Sequence, residues 1–570
     1  MHFNSQGKQA VTYDAIVIGT GISGGYAAME LCNRGLKTLL LERGRMVRHG
    51  EYPTANDDPW DLEYRGAVPA EEKARKFSKQ SRLSWWVQQD NKHWVNDDSE
   101  YDYDEDNRFD WIRGHHVGGR SIMWGRHCYR WSENDFTANA REGVAVDWPI
   151  RYADIEPWYD KVEKFVGVSG NRDGLAAVPD GQFLPAFDLN CAEEHFSKKV
   201  SAKYPHRHVI AARTANLSSY DPAVHLGTRG QCRTRNRCWR GCPLGGYFSS
   251  LSSTIPVAQA TGNLTLRADS IVTEIIYDDA TQRATGVRVM DNQTGEELEF
   301  FARIIFCNAS TVGSTSILLN SRSERFPDGL GNDSGELGHN LMDHHYGMGA
   351  SAVMPGFEDK YFRGNKPTGG FYIPRFRNTD DPATKVNYLR GFGYQGGVYR
   401  GRENDVELGP GIKERAARPG TWRVAMTCFG ELLPYHENRM YLNFEKLDAR
   451  GQPTITFDAK LRENEYALRE DGIRCAQEML EAAGCTDIST YNEETAPGAC
   501  IHEMGTARMG RDPKTSVLNQ WNQVHAVPNV FVTDGSFMTS AGTQNPSITY
   551  MAMTARAVDH AYGLLDRNEL

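Results

Sequence analysis

The sequence predicts an α/β protein in which a Rossmann-like dinucleotide-binding domain is interleaved with a second domain built on an antiparallel sheet. Three observations carry this. A buried-strand run, Ala15 to Ile18, leads into the turn Gly19-Thr20-Gly21-Ile22-Ser23-Gly24 and then into a helix-compatible run, Gly25 to Arg34. Residues 263–306 alternate with the period of strands. From 346 to 495 the composition shifts and aromatic residues crowd into alternating segments. A chain of 570 residues exceeds one ordinary core, which also favours two domains.

The first element is the most specific. Gly19 supplies a tight turn, and Gly21 lets the backbone approach a pyrophosphate. Gly24 brings the helix close to the strand, and Ser23 lies at the helix N-terminus that faces the phosphates. A second strand, Thr38 to Leu41, ends on Glu42, where a ribose-binding carboxylate belongs, with Arg43 beside it.

Residues 43–112 show little periodicity and read as irregular cover over the nucleotide site. They hold the pair Trp85-Trp86 and an acidic run, Asp97 to Asp106, which reads as a solvated loop. A second glycine pair, Gly118-Gly119, precedes Ser121 and can again bring backbone N–H groups to an anion. Two such loops in one chain suggest one large cofactor touched from several places. Strands then follow at 263–266, 271–277 and 285–290. The rings from Phe357 to Tyr399, including Tyr361, Phe362, Phe371, Tyr372, Phe376, Tyr388, Phe392 and Tyr394, read mostly as sheet core, though flat rings also stack on sugars.

A net charge of −10 and a pI near 6.0 give no reason to expect nucleic acid. No apolar run reaches the ~18 residues of a membrane span. The first fourteen residues have no apolar signal core.

Near the other end, His502 heads a Gly-Thr turn, Ile501 to Thr506. The strand Val530 to Val532 and the turn Asp534-Gly535 follow, and then Gln544-Asn545-Pro546. A neutral imidazole suits a general base near pH 7. An amide at Asn545 cannot take a proton but can hold a substrate oxygen.

These stretches, with Asp147-Trp148-Pro149-Ile150 and Leu337 to His344, resemble the glucose–methanol–choline (GMC) flavoprotein oxidoreductases over nearly the whole chain. The similarity is to the sugar-oxidising branch, with pyranose oxidase, gluconate dehydrogenase and glucoside 3-dehydrogenase. It implies FAD, with His502 as base and Asn545 as its partner. Gly118, Gly119 and Ser121 would form the second cofactor loop. A residue near Val272 would meet the adenine, and Asp534 and Gly535 the ribityl–phosphate region. Met123 stands where pyranose oxidase carries a flavin-linking His, so a non-covalent FAD is expected. The implied reaction removes a hydroxyl proton to His502 and a hydride from carbon to the flavin, oxidising a sugar or glycoside ring hydroxyl to a ketone, at C3 by likeness to glucoside 3-dehydrogenase. The rivals are an oxidase of pyranose oxidase or C-glycoside oxidase type, a lyase that keeps FAD, and an electron-transfer protein with no substrate. The His502–Asn545 pair argues against the last.

Cys232, Cys238 and Cys242, spaced six and four apart in a loop with Arg229, Arg233, Arg235, Arg237 and Arg240, form the remaining motif. A terminal Cys-Pro is a feature of iron–sulfur loops. Three thiolates suit a 3Fe-4S cluster. Zinc would need a distant fourth ligand, such as Cys191 or a His. Three free thiols are the plain alternative. The arginines would lower the thiol pKa values and steer an acidic partner. The loop resembles that of multi-subunit FAD glucose dehydrogenases and glucoside 3-dehydrogenases, which implies a small companion subunit, a cytochrome-type electron acceptor and co-export to the periplasm with the companion; residence in the cytoplasm is the alternative. The expected division is 1–190 and 191–345 for the FAD domain, with the cysteine loop at 229–243, then 346–495 for the substrate domain and 496–570 for the FAD domain's return.

Overall fold

The computed structural model describes residues 13–83, 86–360, 369–402, 408–493 and 495–570. Trp85, Tyr361, Phe362 and the first twelve residues lie outside them.

Strand β1 (Tyr13–Ile18) is the middle of a parallel sheet, and its residues 15–18 are buried. On one side it pairs with β2 (Thr38–Leu41) and, beyond that, with Leu264–Arg267. On the other it pairs with Glu297–Cys307 and then Val527–Val532. The run Ala15–Ile18 has no polar side chain because both faces of the sheet are covered. Ala15 and Val17 share a core with the helical residues Ala27, Ala28 and Leu31, and Ile16 and Ile18 share one with Val272, Ile275 and Val287 of two antiparallel strands. The strand Glu297–Cys307 serves two sheets. Its later residues pair with β1, and residues 297–301 pair antiparallel with Arg283–Asp291. Helix α1 (Ile22–Asn33) follows the glycine turn and packs against the long helix Ser547–Asp566.

The second domain is a six-stranded antiparallel sheet. Its long strands are His344–Met354, Phe392–Arg402 and Pro419–Glu431, with Thr486–Asn492 on one edge. The helix Glu463–Ala482 covers one face with Leu468, Cys475, Ala476, Met479 and Leu480. Phe371, Phe376, Tyr388, Phe392 and Tyr394 are core of this domain. Tyr372 stacks on Tyr129 at 3.8 Å between centroids.

The packing departs from the expected boundaries in two places. The helix Cys191–Lys203 and the strand Ile210–Ala211 belong to the antiparallel sheet, because Ala192, Phe196, Val200 and Val209 join its core. Residues 439–458, in contrast, form a small sheet with Asp104–Glu105, and Leu442, Asp448 and Gln452 to Ile455 wall the nucleotide cavity.

Candidate active site

One cavity runs along the carboxyl ends of the parallel strands, where α/β folds bind nucleotides. Gly19, Gly21, Ser23, Glu42, Arg43, Gly119, Ser121, Val272, Asp534, Gly535, His502 and Asn545 all line it. The three glycines of the turn differ in their surroundings. Gly19 has φ +95°, and a Cβ there would lie 2.3 Å from the Asn308 carbonyl. A Cβ on Gly24 would lie 1.9 Å from the Gly19 carbonyl, so this residue sets the helix–strand approach. A Cβ on Gly21 meets nothing within 4 Å, which leaves the backbone open to the cavity. The buried Asn308 Nδ2 and Arg43 Nε, on residues lining the same cavity, have no hydrogen-bond partner among the described residues. An open glycine cradle and unspent donors fit an extended, oxygen-rich dinucleotide such as FAD.

Several side chains are already committed within the protein. Glu42 accepts from Thr20 Oγ1 at 2.5 Å and Gly44 N at 3.0 Å, and burial raises its pKa. Ser121 Oγ donates to the Gly118 carbonyl at 2.6 Å and accepts from Ser250 N at 3.0 Å, so it pins the turn. Gly118 is not on the cavity wall: with φ +92°, it makes the turn, and its N–H donates to Thr20 Oγ1 at 2.9 Å. The Asp534 carboxylate accepts from Ser536 N, Ser536 Oγ and Ser314 Oγ. Arg120, which the sequence reading passed over, lines the cavity and grips buried Glu503 through two bonds of 2.9 and 2.7 Å.

At the reacting end a chain of bonds sets the tautomer of His502. His344 Nε2 lies 3.2 and 3.0 Å from the Ala541 and Gly542 carbonyls, so it must carry the proton. Burial pulls the His344 pKa down to about 4, so the ring is neutral and its Nδ1 is an acceptor. His502 Nδ1, 2.9 Å away, therefore donates to it. That leaves a lone pair on His502 Nε2, which faces Asn545 Nδ2 at 3.4 Å. Gln395, from the antiparallel sheet, donates to Asn545 Oδ1 at 2.7 Å and so turns the amide N–H toward the histidine. Asp343 accepts from the backbone N–H groups of Gly498, Cys500 and His502 and holds the segment in place.

Burial, and then neighbouring His344, Arg120 and His127, push the His502 pKa well below 6.5. In the expected role of base His502 works only when deprotonated, so activity would be lost as pH falls through its pKa. The rate of cofactor reduction by substrate is expected to hold level down through pH 6.5 and to break only below it. A stopped-flow pH profile with its acid limb at or above 6.5 would contradict this electrostatic picture.

The three loop cysteines line a second, small pocket with Asn216, Gly246 and Tyr247. Asn216 Nδ2 and Gly246 N point at Cys232 and Cys242 sulfurs, at 3.9 and 3.4 Å. Among the described residues, these thiols are not a group tight enough to share a single ion. The arginines do not act as expected. Burial raises the Cys232 pKa instead. Arg229 is itself buried, Arg235 bonds the Ala55 carbonyl at 2.7 Å, Arg237 pairs with Asp58, and Arg240 pairs with Asp90 at 2.9 Å. The pocket adjoins the cofactor cavity. Arg126, on the cavity wall, lies over Trp239 at 4.9 Å and Tyr247 at 5.1 Å, and Tyr247 donates to the Ile122 carbonyl. Trp86, also on the wall, meets Trp239 edge-on at 5.3 Å.

The chain is 27% identical to a 2-methyl-1,2-propanediol dehydrogenase of Mycolicibacterium austroafricanum, over 96% of its length and 94% of the relative's. It is 25% identical to the fructose dehydrogenase large subunit of Gluconobacter japonicus, over 97% and 98%. The fold matches the solved formate oxidase of Aspergillus oryzae RIB40, with a TM-score of 0.60, 14% identity and coverage of 98% and 100%. Family models of the GMC oxidoreductases match residues 13–346 and 434–554, which span both the glycine turn and the His502–Asn545 pair. The chain belongs to the GMC oxidoreductase family.

Proposed function

We propose that this FAD oxidoreductase is a dehydrogenase of sugars or glycosides that oxidises a ring hydroxyl, at C3, to a ketone. Cys232, Cys238 and Cys242 would hold a 3Fe-4S cluster, which would supply one-electron transfer to an external carrier. The reading rests on the wall that the cysteine pocket shares with the cofactor cavity through Arg126, Trp239 and Tyr247. The likeness to a dehydrogenase named as a large subunit favours a small companion subunit, and the cytochrome-type acceptor follows from the cysteine loop's resemblance alone. The C3 position rests on the chain's overall resemblance to glucoside 3-dehydrogenases, and export with the companion on the likeness to the multi-subunit enzymes.

Bound FAD supplies the hydride acceptor and, with Met123 in the loop, is held without a covalent link. The protein supplies the rest. A substrate hydroxyl between the two side chains accepts from Asn545 Nδ2 and donates its proton to His502 Nε2. The Nδ1 proton stays shared with His344, which steadies the imidazolium. No helix among the described residues is long and apolar enough to cross a membrane. Arg233 is the exposed loop arginine, so the partner is recognised by contact more than by steering. Trp60 and Tyr64, 79% and 67% exposed, follow the Asp58 that anchors Arg237, and exposed Leu244 borders the cysteine pocket.

Protein purified without air is expected to contain iron and acid-labile sulfide and to turn over slowly with oxygen but fast with artificial acceptors. Cys238→Ser should lose the iron and slow onward transfer while leaving flavin reduction by sugar largely intact. Iron-free protein with full activity towards oxygen would replace this reading with the oxidase one.

A further inference from the structure

We propose that His344, His502 and Cys500 form a latent site for one borderline-soft divalent cation of the Zn²⁺ type, and that filling it switches off the base. The inference rests on the role of His502 given above. Among the described residues these three are the group whose ligand atoms all lie within 4.8 Å of one another. The two Nδ1 atoms are 2.9 Å apart, and Cys500 Sγ is 3.4 Å from His502 Nδ1. Two imidazoles and a thiol are a zinc donor set, whereas magnesium and calcium require oxygen. His344 already offers a lone pair at Nδ1, because its other nitrogen is bound to the Ala541 and Gly542 carbonyls. That outer hydrogen bond is the kind that fixes a ligating histidine. His344 and Cys500 are buried, and His502 opens onto the cavity, which gives an ion its route in.

The chemistry balances without electron transfer. The ion takes the place of the proton between the two Nδ1 atoms and forms bonds to both and to Cys500 Sγ. The Cys500 proton leaves to solvent. The displaced His502 proton moves to Nε2, because a neutral imidazole ligated at Nδ1 must carry its hydrogen there. The atom that should receive the substrate proton is then already protonated. The ion itself sits on the Nδ1 side, away from Nε2 and Asn545, so the loss is expected in the rate of the reducing step.

The test uses chelator-treated holoenzyme titrated with Co²⁺ as an optical probe and with Zn²⁺. The parent should take up one more ion than Cys500→Ser, with a thiolate-to-cobalt absorption band absent from the variant. Zn²⁺ affinity at this site should fall at least about 10-fold in the variant. The cysteine loop is common to both proteins and cancels in the difference. Retained yellow FAD reports folding, and Cys500→Ala repeats the comparison if the serine variant loses it. Zn²⁺-loaded parent should lose flavin reduction, and a chelator should restore it. Equal ion uptake by parent and both variants, or an unchanged reduction rate in the loaded parent, would overturn the proposal. The uptake experiment needs no substrate, so its failure is distinct from failure of the dehydrogenase reading.

Discussion

Replacing His502 with alanine is expected to slow flavin reduction by substrate by about 10²–10⁴-fold, the usual contribution of a positioned base. The reason lies in the bond chain. The Ala541 and Gly542 carbonyls fix the His344 proton on Nε2, and His344 then fixes the His502 proton on Nδ1. His502 Nε2 is thereby left as a proton acceptor on the cavity wall. The variant should still purify yellow, since the glycine turns that cradle the nucleotide are remote from residue 502 in the chain and make no side-chain bond to it. Single-turnover mixing without air isolates this step from electron exit. A variant reduced at the parental rate would remove His502 from the mechanism. Asn545→Ala should be milder, because the amide positions the oxygen and takes no proton.

The second large effect separates two glycines three residues apart. Gly21→Ala should fold normally, since its Cβ meets nothing within 4 Å and its φ is −67°. That methyl projects where the cofactor backbone would pass. A clash of about 1–3 kcal/mol translates into FAD binding about 5–150-fold weaker. Gly24→Ala should instead lower the thermal midpoint of the apoprotein, because its Cβ would sit 1.9 Å from a backbone carbonyl that cannot move alone. FAD titration and thermal melting of both apoproteins read this out. Equal melting losses in the two variants would refute the division of roles.

What could be read from the sequence was what is local. The glycine turn, Glu42 at the end of β2 and the succession of β1, α1 and β2 around them are short-range, so their spacing carries their geometry. His344 and Gln395 escaped because they meet His502 and Asn545 only once the antiparallel sheet is folded beside the nucleotide domain. Two adjacent histidines opening a buried strand were the available signal for the first. Gly118 makes the turn while its neighbour Gly119 lines the cavity, and a turn and a cradle share the same residues until the hydrogen bonds are known. The arginines of the cysteine loop showed charge and not its partners, and Asp58 and Asp90 absorb much of it. Phe371, Phe376, Tyr388, Phe392 and Tyr394 of the aromatic run are sheet core, since alternating rings pack on a neighbouring sheet face before they serve a ligand. Residues 191–211 switched sheets for a similar reason. Their apolar side chains suit either core, and only tertiary contact chooses.

The strand Val527–Val532 has a consequence for biosynthesis. It completes the sheet by pairing with Glu297–Cys307, and the helix Ser547–Asp566 then packs on α1. At roughly 5–20 residues per second, the ~220 residues between Cys307 and Val527 take on the order of 10–45 s to emerge from the ribosome. Through that interval Glu297–Cys307 presents an unpaired apolar edge, the kind that recruits other chains. Such an edge favours chaperone binding during synthesis, and the cofactor cavity is complete only once Ile501 to Tyr550, which close its wall, have been made. Limited flavin supply would then appear as aggregation as well as lost activity, since the bound cofactor stabilises the late-closing sheet by mass action.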